Sequence, residues 1–101
     1  MATVTKALFR GAATTTVGTT LYTVPASTTT VVSNIAVSNT AATAATFTFA
    51  LAGTNLHTTA AIAANTTVYI DLKQVLVATN TITGGASAVT VSFHISGVEI
   101  S

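Results

Sequence analysis

Along much of the chain apolar and polar residues alternate with a period of two. In residues 46–51, Phe47, Phe49 and Leu51 share one parity while Thr46, Thr48 and Ala50 share the other. That spacing predicts a strand with one face in a core and a threonine face in water. The pattern returns near the C-terminus, where Val89, Val91, Phe93 and Ile95 take the inward parity and Thr90, Ser92, His94 and Ser96 the outward one. Beyond Gly97 the apolar parity passes to Val98 and Ile100. A one-residue slip exchanges the two faces of a strand, so the change predicts a bulge or bend at Gly97. Residues 31–37 and 68–72 read as two further strands, the second with Val68, Ile70 and Leu72 inward. Weaker strands are expected at 3–9, 20–24, 56–62 and 75–82.

The segments between these runs carry turn residues: Pro25-Ala26-Ser27, Ser38-Asn39-Thr40, Gly53-Thr54-Asn55, Ala63-Ala64-Asn65 and the pair Gly84-Gly85, which reads as a hairpin turn. Pro25, the only proline, belongs outside the ladder or at a strand edge. Thr, Val and Ile dominate the chain, and β-branched side chains suit a pleated surface better than a helix. About eight short strands at regular spacing predict an all-β fold, a single antiparallel sandwich of jelly-roll or Greek-key type over residues 1–101. Residues 1–10 are expected as an N-terminal arm or an edge strand. A faint repeat relates Val24-Pro25-Ala26-Ser27-Thr28-Thr29-Thr30-Val31-Val32 to Ile62-Ala63-Ala64-Asn65-Thr66-Thr67-Val68-Tyr69-Ile70, either from the abundance of Thr and Ala or from two related Greek-key halves.

Charge narrows the picture. Only Lys6, Arg10, Lys73, Asp71 and Glu99 carry a fixed charge, 5% of a chain that is 50% apolar, where globular domains carry roughly 25% charged residues. The composition excludes a disordered tail, which needs low hydrophobicity and high net charge. A net charge of +1 excludes the basic surface that binds nucleic acid. No apolar run approaches the roughly 20 residues of a spanning helix, and Ala7-Leu8-Phe9 is too short for the core of a secretory signal. The strands lack the aromatic girdles of a transmembrane barrel, so no membrane partner is expected. The absence of cysteine removes disulfides and thiol chemistry.

A general acid and base pair would have to come from Asp71 and Glu99, and neither sits in a Gly-rich or loop context that presents a cleft. Asp71 lies outward on its strand, two residues from Lys73, where a solvated pair is expected to guard an edge. His57, His94, Asp71 and Glu99 are the only candidate metal ligands, with no paired spacing and short of the convergent set that zinc or calcium needs. His94, on the outward parity, is a candidate for stacking at a subunit contact. No serine sits in a nucleophile elbow, and Gly84-Gly85 lacks the Lys of a phosphate loop. The sequence therefore predicts no enzyme: no catalytic, cofactor-binding or metal-ligating residue, and no cofactor. Sparse charge on the strands predicts that edges such as 47–51 and 89–93 are covered by a fixed oligomer or lattice.

The stretch 21–40, with Leu21-Tyr22-Thr23-Val24-Pro25-Ala26 leading into Val31-Val32 and closing on Ser38-Asn39-Thr40, resembles small structural proteins of tailed-bacteriophage virions, as do Ala45-Thr46-Phe47-Thr48 and Ile62-Ala63-Ala64-Asn65-Thr66-Thr67. The resemblance implies a β-sandwich on the head exterior, the collar or the tail. It implies itself and other virion proteins, such as the major capsid or tail proteins, as partners, and assembly in the host cytoplasm. Capsid decoration or cementing is the expected role, with Lys6 and Arg10 placed to meet an acidic neighbour. A tail, collar or baseplate component is the alternative, as is a host-surface carbohydrate or receptor module, for which Tyr22 and Tyr69 are the only polar aromatics.

Overall fold

The computed structural model describes residues 3–16 and 18–101. Eight strands follow in chain order: β1 (Thr3–Ala12), β2 (Thr20–Thr23), β3 (Thr29–Asn39), β4 (Ala45–Leu51), β5 (Thr54–Ile62), β6 (Thr66–Leu76), β7 (Thr81–Ala86) and β8 (Val91–Ile100). Sheet I has the order β1-β8-β3-β6 and sheet II the order β2-β7-β4-β5. All neighbours are antiparallel. This is a β-sandwich, and its order is that of a jelly roll: β1 pairs β8, β2 pairs β7, β3 pairs β6 and β4 pairs β5, as if one long hairpin had been rolled up. Of residues 1–10, expected as an arm or edge strand, 3–10 belong to the edge strand β1, which runs on to Ala12, and 1–2 lie outside the described residues.

The core follows the alternation. Val32, Ile35 and Val37 of β3 and Val91, Phe93 and Ile95 of β8 face Phe47, Phe49, Ile82 and Ile62 across the sandwich. Phe49 and Phe93 meet with ring centroids 4.4 Å apart, and Phe47 sets its edge on Phe49 at 5.8 Å. Each such side chain contributes about 1.5–3 kcal/mol on burial.

Three local expectations are corrected. Gly84 and Gly85 make no turn; they lie inside β7, opposite Phe49 and Thr48 of β4. A Cβ on Gly84 would stand 2.9 Å from the Phe49 ring and 2.9 Å from the Thr48 carbonyl oxygen, so the aromatic core requires glycine there. The turn falls earlier, and the stretch 75–82 is the end of β6, a turn and the start of β7. Asn80 N–H donates to the Val77 carbonyl at 3.0 Å, the Val77 N–H donates to Asn80 Oδ1 at 3.1 Å, and Thr79 takes a positive φ of 71°. Between β4 and β5 the turn is Ala52-Gly53, both at positive φ, rather than Gly53-Thr54-Asn55.

Gly97 marks no slip in β8. The inward parity of Val91, Phe93 and Ile95 runs on through Gly97 to Glu99, and the register shifts lie in the partner strands, at Leu8 of β1 and beside Ser33 of β3. Gly97 is needed for close approach: a Cβ there would sit 2.3 Å from the Val31 carbonyl oxygen. Val89, read as inward, is 64% exposed in the turn before β8.

The apolar windows also find cover within the chain. β4 is flanked by β7 and β5, and β8 by β1 and β3, so their backbone groups are already paired. The edges are β1, β6, β2 and β5, and every one is irregular against its neighbour, at Leu8, Leu72–Lys73, Leu21 and Thr58–Thr59 respectively. Bulges interrupt an edge locally and leave the regular stretches on either side of them intact. The expectation that the windows 47–51 and 89–93 are edges in need of cover is corrected, because β4 and β8 are inner strands.

The faint repeat has a structural counterpart. Both copies are arches from sheet II to sheet I, β2 to β3 and β5 to β6, entered from a buried Val24 or Ile62. The aligned residues Ser27 and Asn65 both take positive φ, 56° and 51°. The next residue in each copy, Thr28 or Thr66, donates its hydroxyl to the carbonyl of Ala26 or Ala64. The offset is three strands, so the similarity is one arch used twice, not two equivalent halves.

Candidate functional site

The connections divide the sandwich into two ends, each closed by a polar cluster. At the end holding the β3–β4, β5–β6 and β7–β8 connections, Asn39 terminates β3 with its side chain buried. Its Nδ2 donates to the carbonyls of Thr43 (2.9 Å) and Ala63 (3.3 Å), and its Oδ1 accepts from the Ala41 N–H (3.1 Å) and the Thr90 hydroxyl (3.3 Å). One amide thus uses its full hydrogen-bonding capacity on three separate connections.

At the other end, with the β2–β3 arch and the C-terminal strand, Glu99 faces inward on β8 opposite Thr30 of β3. Tyr22 reaches across from sheet II and donates its hydroxyl to Glu99 Oε2 while sharing a 2.9 Å hydrogen bond with Thr30 Oγ1. Lys6 of β1 completes the cluster with an ion pair to Glu99 Oε2 at 3.3 Å. The Tyr22 hydrogen bond, then Lys6, hold the Glu99 carboxyl below its ordinary value against an opposing effect of burial. Burial, then the hydrogen bond to Glu99, push the Tyr22 hydroxyl up from its ordinary value of 10.0. The tyrosine therefore stays a donor and the carboxylate an acceptor across neutral pH.

The expected Asp71–Lys73 pair does not form. Both are exposed on β6; Asp71 Oδ1 instead accepts from Asn34 Nδ2 at 3.1 Å, and the ion pair among the described residues is Lys6–Glu99. Ser33, Asp71, Leu72 and Lys73 line a shallow, open groove where β6 slips against β3. His57 is half-buried with its ring centroid 5.8 Å from that of Phe47, and His94 is exposed on the outer face of sheet I between Arg10 and Ala36. No three His, Asp or Glu side chains converge among the described residues. The sequence pointed to neither cluster, though a carboxylate at 99 on the parity of Val91, Phe93 and Ile95 is the signal that would have placed Glu99 inward.

All five charges lie on sheet I: Lys6 and Arg10 on β1, Asp71 and Lys73 on β6, and Glu99 on β8. The strands of sheet II hold none, and the outer side of its inner strands presents Thr46, Thr48, Ala50, Thr81 and Thr83. Compared with known proteins, the chain matches no family model, no curated protein and no solved structure.

Proposed function

We propose that this chain is a non-enzymatic structural protein of a tailed-phage virion, decorating or cementing the capsid exterior as copies of a β-sandwich. The observation that carries the reading is the uncharged sheet II, a threonine and alanine face without a single Asp, Glu, Lys or Arg. Such a face suits contact with protein, because no charge has to be stripped of water. The jelly-roll order is one that capsid domains share with lectins and cupins, and the resemblance of residues 21–40 to small virion proteins favours the first of these. The two strongest polar clusters are fully engaged in holding the ends of the sandwich, which supports a building block over a catalyst.

Density-gradient fractionation of cells producing the chain tests the reading. Recovery with particles at a fixed ratio to the major particle protein is the expected result. Recovery entirely in the soluble fraction overturns it. The alternative of a host-surface carbohydrate module draws on Tyr69, 69% exposed in the same cross-strand row as Ala36 and His94. A glycan array with a hit abolished by Tyr69→Ala would favour it over the structural role.

A further inference from the structure

The four sheet edges are not equivalent. β2 is four residues long, β5 carries no charge and is irregular at two places, and β1 carries only positive charges, Lys6 and Arg10. β6 alone carries opposite charges two residues apart on one face, Asp71 and Lys73, flanked outward by Tyr69 and Val75 at 69% and 62% exposure. Lys73 makes no ion pair among the described residues.

We propose that β6 is a self-recognition edge, on which two copies of the chain pair antiparallel about a twofold axis at Leu72. Antiparallel pairing about Leu72 sets Asp71 opposite Lys73 of the second copy and Lys73 opposite its Asp71. Tyr69 then faces Val75 of the second copy, and Val75 its Tyr69. Residues directly opposite share a face, so both kinds of pair form on the outer side of sheet I. Leu72 meets itself on the inner side. The sequence of β6 is thus complementary to its own reverse, as an isologous contact requires. β1 has no such property, since it holds no acidic residue to oppose Lys6 or Arg10 of a second copy.

The slip between β6 and β3 falls at Leu72–Lys73, on the proposed axis. The segments on either side, Thr66 to Asp71 and Gln74 to Leu76, are regular against β3, so each copy offers two ordered half-ladders that meet at the irregular point. The contact joins two sheets I into one of eight strands and leaves both uncharged sheets II free. It shares with the virion reading only the second copy, and it stands or falls separately.

Sedimentation of the purified chain over a concentration series, with charge reversals, is the test. A dimer is expected for the native chain. Asp71→Lys alone or Lys73→Asp alone weakens it by about tenfold or more, because like charges then face each other, and the double exchange Asp71→Lys/Lys73→Asp restores it to within about threefold. Circular dichroism of each variant establishes that it is folded. The register has its own readout, because the native chain has no cysteine. Leu72→Cys crosslinks copy to copy on oxidation, whereas Tyr69→Cys does not, since self-pairing leaves its two copies six residues apart, roughly 20 Å at strand spacing. A native chain that is monomeric at every concentration, or a dimer indifferent to the single reversals, overturns the proposal. A monomer that still fractionates with particles removes the dimer and leaves the virion reading; a dimer found only in the soluble fraction does the reverse.

Discussion

At one end of the sandwich Asn39 binds three connections together without a charge; at the other, Tyr22, Thr30, Glu99 and Lys6 bind the two sheets together through an ion pair. Both clusters sit where strands leave the ladder and backbone groups lose their partners. The neutral end answers with geometry: one amide holds two carbonyls, one N–H and one hydroxyl in place, none of which titrates. The charged end answers with strength, since hydrogen bonds to ionised groups exceed neutral ones. The difference teaches that the two ends should fail under different conditions, the first by loss of shape and the second by titration.

The largest effect is expected at Asn39. Asn39→Ala strips partners from the Thr43 and Ala63 carbonyls, the Ala41 N–H and the Thr90 hydroxyl at once, and should cost about 3 kcal/mol in urea unfolding. Asn39→Asp sharpens the contrast. It sets a carboxylate against two carbonyls in a buried site, so its folded pKa rises above the unfolded value, and the variant should regain stability as pH falls. The native chain should lose stability over the same acid range. A variant curve parallel to the native one would count against the geometry at this end.

Next comes Gly97, which lets the last third of β8 run close beside β3. Gly97→Ala places a methyl group 2.3 Å from the Val31 carbonyl oxygen and 2.9 Å from Leu8, forcing backbone apart next to Glu99. A loss of about 2 kcal/mol is expected, with a weaker coupling between Tyr22 and Glu99 as β8 is displaced from its neighbours in sheet I. That coupling is measured by a double-mutant cycle of Tyr22→Phe and Glu99→Gln in the native and Gly97→Ala backgrounds.

Much of this fold was legible because its period is two. The parity of Phe47, Phe49 and Leu51, and of Val91, Phe93 and Ile95, specified inward faces that the structure keeps. Gly84-Gly85 misled because glycine serves two purposes that a single sequence does not separate, turning the chain and making room for a neighbour; here the neighbour is the Phe49 ring, remote in sequence. Gly97 misled for the same reason, and treating it as a slip sent Glu99 to the outside. The clusters were hidden for a related cause. Asn39 and Ala63, or Tyr22 and Glu99, lie 24 and 77 residues apart, and only the topology brings them together. The edge bulges were equally out of reach, because they are set by the register between strands remote in sequence.

The charged end has a signature in pH. Glu99, whose pKa is lowered chiefly by the Tyr22 hydrogen bond, contributes stability that is present above its ordinary carboxyl value of 4.5 and is lost as pH falls through the folded value. Tyr22, whose pKa is raised chiefly by burial, contributes stability that is present below 10.0 and is lost as pH rises through its folded value. Glu99→Gln should cost about 1 kcal/mol near neutral pH, discounted because Lys6 is half-exposed, and should flatten the acid limb. Tyr22→Phe should flatten the alkaline limb. Denaturation midpoints from pH 3 to 11 measure both, and an acid limb unchanged in Glu99→Gln would place the acid sensitivity elsewhere.

The smallest effect concerns the β4–β5 hairpin at the charged end, and it tests whether that end is limited by its cluster or by its turn. Ala52 and Gly53 both take positive φ, 52° and 80°, as the two central residues of a type I′ turn require. Alanine is disfavoured in that conformation, and asparagine tolerates it. Ala52→Asn should therefore add about 0.5 kcal/mol and leave the core untouched. If the ends act independently, the gain in the Asn39→Ala background should equal that in the native chain. In the Glu99→Gln background, where Tyr22 no longer holds an ionised partner, a smaller gain would show that the hairpin and the cluster form one cooperative unit, because β7 carries both the Tyr22 pairing at Ile82 and the Leu51 pairing beside the turn.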